Sequence, residues 1–212
     1  MTTLPGARAN RGRRSTRPSG DDREQAILAT ACRLLEDRPF AEISVDDLAK
    51  GAGLSRPTFY FYFSSKEAVL LSLVEPLIAH ADSGFDGALS LPADPRRAFR
   101  DGISTFFTAF ASEPVMARAG AEALATNPEV RSLWSGIMAK WIAQTAALIT
   151  AERERGAAPE TIPAVELATA LNQMNERTML AALSGEPGAV PAERMVDTLT
   201  HIWMNAIYGT TF

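Results

Sequence analysis

The sequence predicts an all-α protein of about nine helices, a short helical unit at the N-terminus followed by a larger helical body. Three observations carry that prediction. Pro57, Pro95, Pro114, Pro128, Pro163 and Pro191 each stand just before a helical stretch, where a missing N–H costs nothing. Apolar residues recur at spacings of three and four along most of the chain, as one buried helix face requires. Alternation of polar and apolar residues, the mark of half-buried strands, is scarce.

The first helix is expected at 21–37, with Ile27, Ala31, Leu34 and Leu35 on one face. Ser44 and Asp47 have capping-box spacing and start a second helix at 45–51. The turn Gly51-Ala52-Gly53-Leu54 follows, with glycine where positive φ is cheap. Ser55 caps a short third helix at 56–61. The fourth, opened by Ser64 and Glu67, is expected at 66–83. Pro76 inside it either kinks the helix against the Ser72 carbonyl or ends it.

The fifth to ninth helices are expected at 95–112, 114–125, 128–155, 163–184 and 191–208, with Asp94 and Asn127 as caps. In the seventh, Val130, Trp134, Ile137, Trp141, Thr145 and Leu148 form one stripe; in the eighth, Leu167, Leu171, Met174, Thr178 and Ala182 do. Gly and Pro mark loops at 85–94, 156–162 and 185–190. The domains expected are a disordered basic arm at 1–20, a helix-turn-helix at 21–65 and a body at 66–212.

The chain has 212 residues, 25 acidic and 21 basic side chains, and 46% apolar residues, which excludes wholesale disorder. A single cysteine excludes a disulfide framework and a four-thiolate metal site, and fits a reducing cytoplasm. The longest apolar run, 68–79, is interrupted by Glu75 and Pro76, so no membrane span is expected. The charge is uneven. Arg8, Arg11, Arg13, Arg14 and Arg17 lie in the first twenty residues without an acid, leaving 16 basic and 25 acidic residues elsewhere. A basic arm on an acidic body suggests an anionic partner for the arm; a solvated tail is the alternative.

Two short helices joined by a glycine turn and braced by a third make a helix-turn-helix. No acid lies between Leu48 and Lys66, while Lys50, Arg56 and Lys66 are basic, which suits the second short helix to approach phosphates. The run Ala49-Lys50-Gly51-Ala52-Gly53-Leu54-Ser55-Arg56-Pro57-Thr58-Phe59-Tyr60-Phe61-Tyr62-Phe63-Ser64-Ser65-Lys66-Glu67 resembles the DNA-binding motif of the TetR family of bacterial transcriptional regulators. The stretches Gly20-Asp21-Asp22-Arg23-Glu24, Arg153-Glu154-Arg155-Gly156-Ala157-Ala158-Pro159 and Glu166-Leu167-Ala168-Thr169-Ala170-Leu171-Asn172 resemble more closely one branch of that family, repressors of a monooxygenase gene, and that likeness runs over nearly the whole chain. The resemblance implies double-stranded operator DNA as a partner, with Ser55, Arg56, Thr58, Tyr60 and Tyr62 at recognition positions and Lys66 as a phosphate clamp. Lys50, Arg13 and Arg14 are further candidates for DNA contact. Phe59 and Phe63 are expected in the core.

The body carries an aromatic stripe. Phe99, Gly102, Phe106 and Phe110 share one face of the fifth helix, and Gly102 leaves a gap beneath it. The seventh helix adds Trp134, Ile137, Met138 and Trp141, the ninth Trp203. Plain core is one reading. The other, which the resemblance supports, is a cavity for a neutral, apolar, elongated effector. Asn172 and Asn175 share a face with Met179 on the eighth helix, and an amide in such a cavity can donate and accept. Asn175 is the favoured ligand contact; for Asn172 a core hydrogen bond is an equal alternative. Thr145 is a further candidate.

No enzyme is expected, nor a cofactor or metal. His80, His201 and Cys32 lack a nucleophile or ligand set at motif spacing. Glu152 and Glu154 read as a solvated face. The resemblance implies a homodimer through the helices at 163–184 and 191–208, with Ala168, Ala170, Ala181, Ala182 and Ala206 permitting close approach. The functional expectation is a repressor released from DNA by its effector, acting on a neighbouring monooxygenase-type gene. The alternative is a helical carrier or sensor of apolar molecules with a vestigial DNA-binding module.

Overall fold

Capping chemistry sets where the helices begin. In the computed structural model, which describes residues 19–88 and 94–209, every regular element among those residues is helical. Arg13, Arg14 and the rest of the arm before Ser19 lie outside the described residues. Helix α1 (Gly20–Asp37) opens on Ser19, whose hydroxyl accepts from the Asp22 N–H while the Asp22 carboxylate accepts from the Ser19 N–H. Helix α2 (Val45–Gly51) opens on the same reciprocal pair, Ser44 and Asp47. Helix α3 (Arg56–Phe59) is capped by Ser55, and Gly53 turns the chain before it at φ 69°. It stops two residues before the expected end, and the chain winds on through turns to Phe63.

A 3-10 turn at Phe40–Glu42 was not expected. Three residues are too few for periodicity to show, but Phe40 is buried and anchors the turn.

Helix α4 (Lys66–Ala88) continues through Pro76 and on past residue 83, so the helix does not end at the proline. The Ser72 carbonyl loses its usual partner there, because proline has no N–H. Helices α5 (Pro95–Ala111), α6 (Pro114–Thr126), α7 (Pro128–Glu154), α8 (Ala164–Leu183) and α9 (Ala192–Tyr208) follow the expected order. Asp94 caps α5, and Asn127 caps α7 with two N–H bonds.

The buried side chains form two clusters. The larger begins with Ile27, Leu48 and Phe59 and runs without a break through Val69 and Leu70 of α4 to Phe110, Trp134 and Trp141. The smaller joins Phe99 and Ile103 to Ile149, Leu167, Leu171, Leu199 and Trp203. The helix-turn-helix therefore shares its core with α4 and α6.

Glu152 was expected on a solvated face and is instead 3% exposed. Both its oxygens accept from the Arg155 guanidinium at 2.7 and 2.5 Å, and Tyr208 donates to it at 2.7 Å. The hydrogen bond from Arg155 holds the Glu152 carboxyl below the ordinary carboxylate range, helped by Tyr208 against the opposing effect of burial. Its range in sequence, Ala151–Arg155, looks solvated because the partner at Tyr208 is remote. The bond ties the end of α9 to the end of α7.

Candidate DNA-binding face and effector cavity

The exposed residues around α3 include Lys50, Ser55, Arg56, Pro57, Tyr60 and Phe61. Of the two aromatic rings, Phe61 is 85% exposed and Tyr60 46%. Arg56 pairs with Asp46 at 3.3 Å and reaches the Tyr60 hydroxyl at 3.4 Å, all on the surface. Ion pairs so exposed are worth about 0–1 kcal/mol, so Arg56 can exchange Asp46 for an anionic partner. The Ser55 and Thr58 hydroxyls bond each other at 2.7 Å, which fixes the first turn of α3. Tyr62 is half-buried and its hydroxyl accepts from Arg23 of α1 at 3.5 Å. Phe59 and Phe63 are in the core, as expected.

Lys66 is placed differently from its expected role. Its ammonium donates to the carbonyls of Phe40, Ala41 and Ile43 at 3.0, 3.3 and 2.8 Å, over the Phe40 ring at 4.7 Å. An ammonium has three N–H donors, so none is left for a phosphate in this arrangement. The long side chain folds back onto a carbonyl cluster that comes from a distant part of the chain. Phe61 and Asp46 were missed among the surface residues; Phe61 occupies the variable position of the motif, which carries no signal of its own.

In the body, the candidate ligand residues divide between two cavities. The first is lined by Phe99, Gly102, Phe106, Met138, Trp141, Asn172, Asn175 and Trp203, with Ala98, Ile103 and Leu148 added by the structure. The second is lined by Phe110, Trp134, Ile137 and Met179 together with Leu70, Leu71, Val74 and Ile78 of α4 and residues of α6. Thr145 lines neither; it is fully buried behind Asn172. Between the cavities stand four rings in mutual contact, three of the pairs edge-on and Phe106–Phe110 tilted. Phe106 meets Trp141 at 5.4 Å and Phe110 at 5.2 Å, and Trp134 meets Trp141 at 5.8 Å and Phe110 at 5.9 Å.

The two cavities are small, 20 and 40 Å³ in volume. A water needs about 10–15 Å³, and a drug-sized ligand fills a pocket of about 300–1,000 Å³. In this conformation, therefore, neither cavity has room for a molecule of that size.

The polar groups of the lining are few. Asn172 donates to Thr145 Oγ1 at 3.0 Å and to the Ala168 carbonyl at 2.9 Å, which is the core hydrogen-bonding alternative. Asn175 Oδ1 accepts from the Trp203 indole at 3.1 Å. An indole N–H only donates, so this bond fixes the amide: its oxygen faces Trp203 and its NH2 has no protein partner among the described residues. Trp134 and Trp141 donate to Glu176 and Asp82, acids the sequence did not single out. Among the described residues no cluster of His, Cys, Asp and Glu suits a metal, and no helix is long and apolar enough to cross a membrane.

On α8 and α9, Ala168 is fully buried against the second cluster, and so does not face outward as its place among the small residues implied. Ile162, Val165 and Ile202 are large apolar side chains left 49, 55 and 39% exposed.

Residues 27–73 match the model for bacterial regulatory proteins of the tetR family, and residues 99–209 match the C-terminal domain of the transcriptional regulator EthR. The chain is 71% identical over 211 residues to the HTH-type transcriptional regulator EthR of Mycolicibacterium smegmatis, covering 99% of this chain and 97% of that one. It is 60% identical over 213 residues to EthR of Mycobacterium tuberculosis, covering 99% of each. A TetR-family regulator from Syntrophomonas wolfei superposes with a TM-score of 0.70 at 16% identity, over 88% of this chain and 95% of that one, which shows the shared fold. The chain belongs to the TetR family of DNA-binding bacterial transcriptional regulators, within its EthR group.

Proposed function

We propose that the protein is a homodimeric repressor released from operator DNA by a neutral, elongated, largely apolar small molecule that enters between Phe99 and Trp134. The observation that carries this reading is the amide of Asn175. Its oxygen is committed to Trp203, and its NH2 remains as a donor among aromatic and aliphatic walls. Such a site selects an acceptor, a carbonyl or ether oxygen, flanked by apolar arms. Opening the four-ring partition joins the two cavities into one elongated site. The second cavity is lined by α4 itself, so filling it displaces the helix that leads into the DNA-binding unit.

On the DNA side, Lys50, Ser55, Arg56, Thr58, Tyr60 and Tyr62 carry the contacts; the Arg56 guanidinium and the Tyr60 hydroxyl, 3.4 Å apart on the surface, support this reading. The exposed Val165 and Ile202 face a second copy across α8 and α9, and the dimer spaces two recognition helices for a near-palindrome. The regulated gene lies beside its own and is of monooxygenase type, a reading that the resemblance supports.

The test is fluorescence anisotropy of the DNA upstream of the protein's own gene, titrated with N-hexylhexanamide as a probe. The expected result is specific binding that the probe weakens about tenfold or more, within the usual range of allosteric coupling. Specific binding that the probe leaves unchanged while it occupies the cavity would remove the effector role. Probe binding without any DNA binding would favour the carrier.

A further inference from the structure

The wall of the first cavity is hydrogen-bonded directly to the helix that carries the DNA-binding unit. The Trp141 indole donates to Asp82 Oδ1 at 2.9 Å, and the Lys140 ammonium holds the other oxygen at 2.6 Å. Asp82 lies toward the C-terminal end of α4 and does not line either cavity. Burial pushes its carboxyl up, but the bonds from Lys140 and Trp141 more than offset this and leave it below the ordinary carboxylate range. The acid is therefore a fixed acceptor for the indole.

Trp141 is held on its other sides by rings, at 89° to Phe106 and 90° to Trp134. It forms part of the partition that must open before a ligand of useful size fits. An indole has one N–H and no second donor. Turning it aside either leaves that N–H without its acceptor or draws Asp82 along. At the opposite end of α4, Lys66 is bound to the carbonyls of residues 40, 41 and 43. Ser44, the cap of α2, comes next in the chain. The two ends of α4 are thus tied by polar bonds to the cavity wall and to the DNA-binding unit respectively.

We infer that Asp82 is a positioning residue of the regulatory response: its hydrogen bond to Trp141 is the joint through which filling the cavity moves α4. This rests on the reading of the cavity as the effector site. Apolar pressure on Leu70, Leu71, Val74 and Ile78 through the second cavity is the competing route, and it does not need Asp82.

The experiment compares full-length wild type with Asp82→Ala, Asp82→Asn and Lys140→Gln. Asp82→Ser, too short to reach the indole, is run in parallel with the alanine variant. For each, probe affinity is read from tryptophan fluorescence with N-hexylhexanamide, and upstream-DNA affinity is read with and without saturating probe. Asp82→Ala and Asp82→Ser should bind the probe within about threefold of wild type yet lose most of a roughly tenfold DNA response. Asp82→Asn keeps a carbonyl acceptor for the indole and should keep the response. Lys140→Gln should keep it as well. A full response in Asp82→Ala overturns the joint while leaving the effector reading intact.

A trigger that needs no ligand makes the same comparison. Gly102→Trp puts an indole larger than the first cavity into its wall, so the lining rings must move aside, and its effect on DNA affinity is measured alone and combined with Asp82→Ala in a double-mutant cycle. Coupling between the two substitutions supports the joint, and simple additivity overturns it. If neither the probe nor Gly102→Trp changes DNA affinity in the wild-type background, the effector reading fails and the joint falls with it.

Discussion

Lys66→Met separates two roles for the residue at the start of α4. The methionine retains much of the aliphatic stem over the Phe40 ring and removes the ammonium that binds three carbonyls. A hydrogen bond to a charged group is worth about 1.5–3 kcal/mol net. The site is only part-buried, so water reaches some of the freed carbonyls and the three bonds do not add. A loss of about 2 kcal/mol follows, the equivalent of one such bond fully forfeited. For a chain of this length each kcal/mol lowers Tm by about 2–4 °C, so the variant should melt about 4–8 °C below wild type. DNA affinity should fall through the loosened cap region, with an unchanged dependence on salt. A phosphate clamp would behave in the opposite way. Losing one phosphate contact flattens the slope of log K against log salt by about 0.9 and leaves Tm nearly where it was. Thermal melts and a salt series of anisotropy titrations decide it, and a flattened slope with normal Tm refutes the internal role.

Three further outcomes are expected. The bonds from Ser44 hold the Asp47 carboxyl at about 2, aided by Arg38; a depressed pKa gives stability that is present above the unfolded value and lost as pH falls through the folded one. Asp47→Asn should therefore flatten the acid limb of the melting curve between about pH 4 and 2, and an identical limb in both proteins would show that this cap does not contribute. Gly53→Ala places a Cβ in open space but at φ 69°, so conformational strain alone of about 1–2 kcal/mol should lower Tm by a few degrees; a much larger loss would mean packing that the turn does not show. Pro76→Ala restores the bond to the Ser72 carbonyl and should raise stability by at most about 3 kcal/mol, with altered DNA affinity and probe affinity unchanged; a variant with wild-type stability and DNA binding would remove Pro76 from the coupling.

Local chemistry was legible in the sequence, and meetings between distant residues were not. The box formed by Ser44 and Asp47, the cap at Ser55 and the prolines that open α5, α6 and α7 depend on neighbours in the chain, and each helix begins within a residue of its expected start. The continuation of α4 beyond residue 83 was hidden by Gly84 and Gly87, which read as breakers although a helix tolerates glycine at about 1 kcal/mol each. The aromatic stripe on α5 named the right rings, but periodicity cannot say which rings meet. The partition, with Phe106 and Trp141 on the side of the first cavity and Phe110 and Trp134 on the side of the second, belongs to the packing of two helices. Asp82, Glu176 and the carbonyls around Lys66 were missed for the same reason: each partner lies tens of residues away, and nothing in the local pattern marks it.

Linkage between the two sites tests the central claim most directly. If effector and DNA favour different states of one protein, each must weaken the other by the same factor. Probe affinity, read from the tryptophans that line the cavities, is measured for the free protein and for the protein saturated with its upstream DNA. The expected result is that DNA weakens N-hexylhexanamide binding by the same factor, about tenfold or more, by which the probe weakens DNA binding. Equal probe affinity for the free and DNA-bound protein would contradict it, because a ligand that does not distinguish the two states cannot shift one into the other.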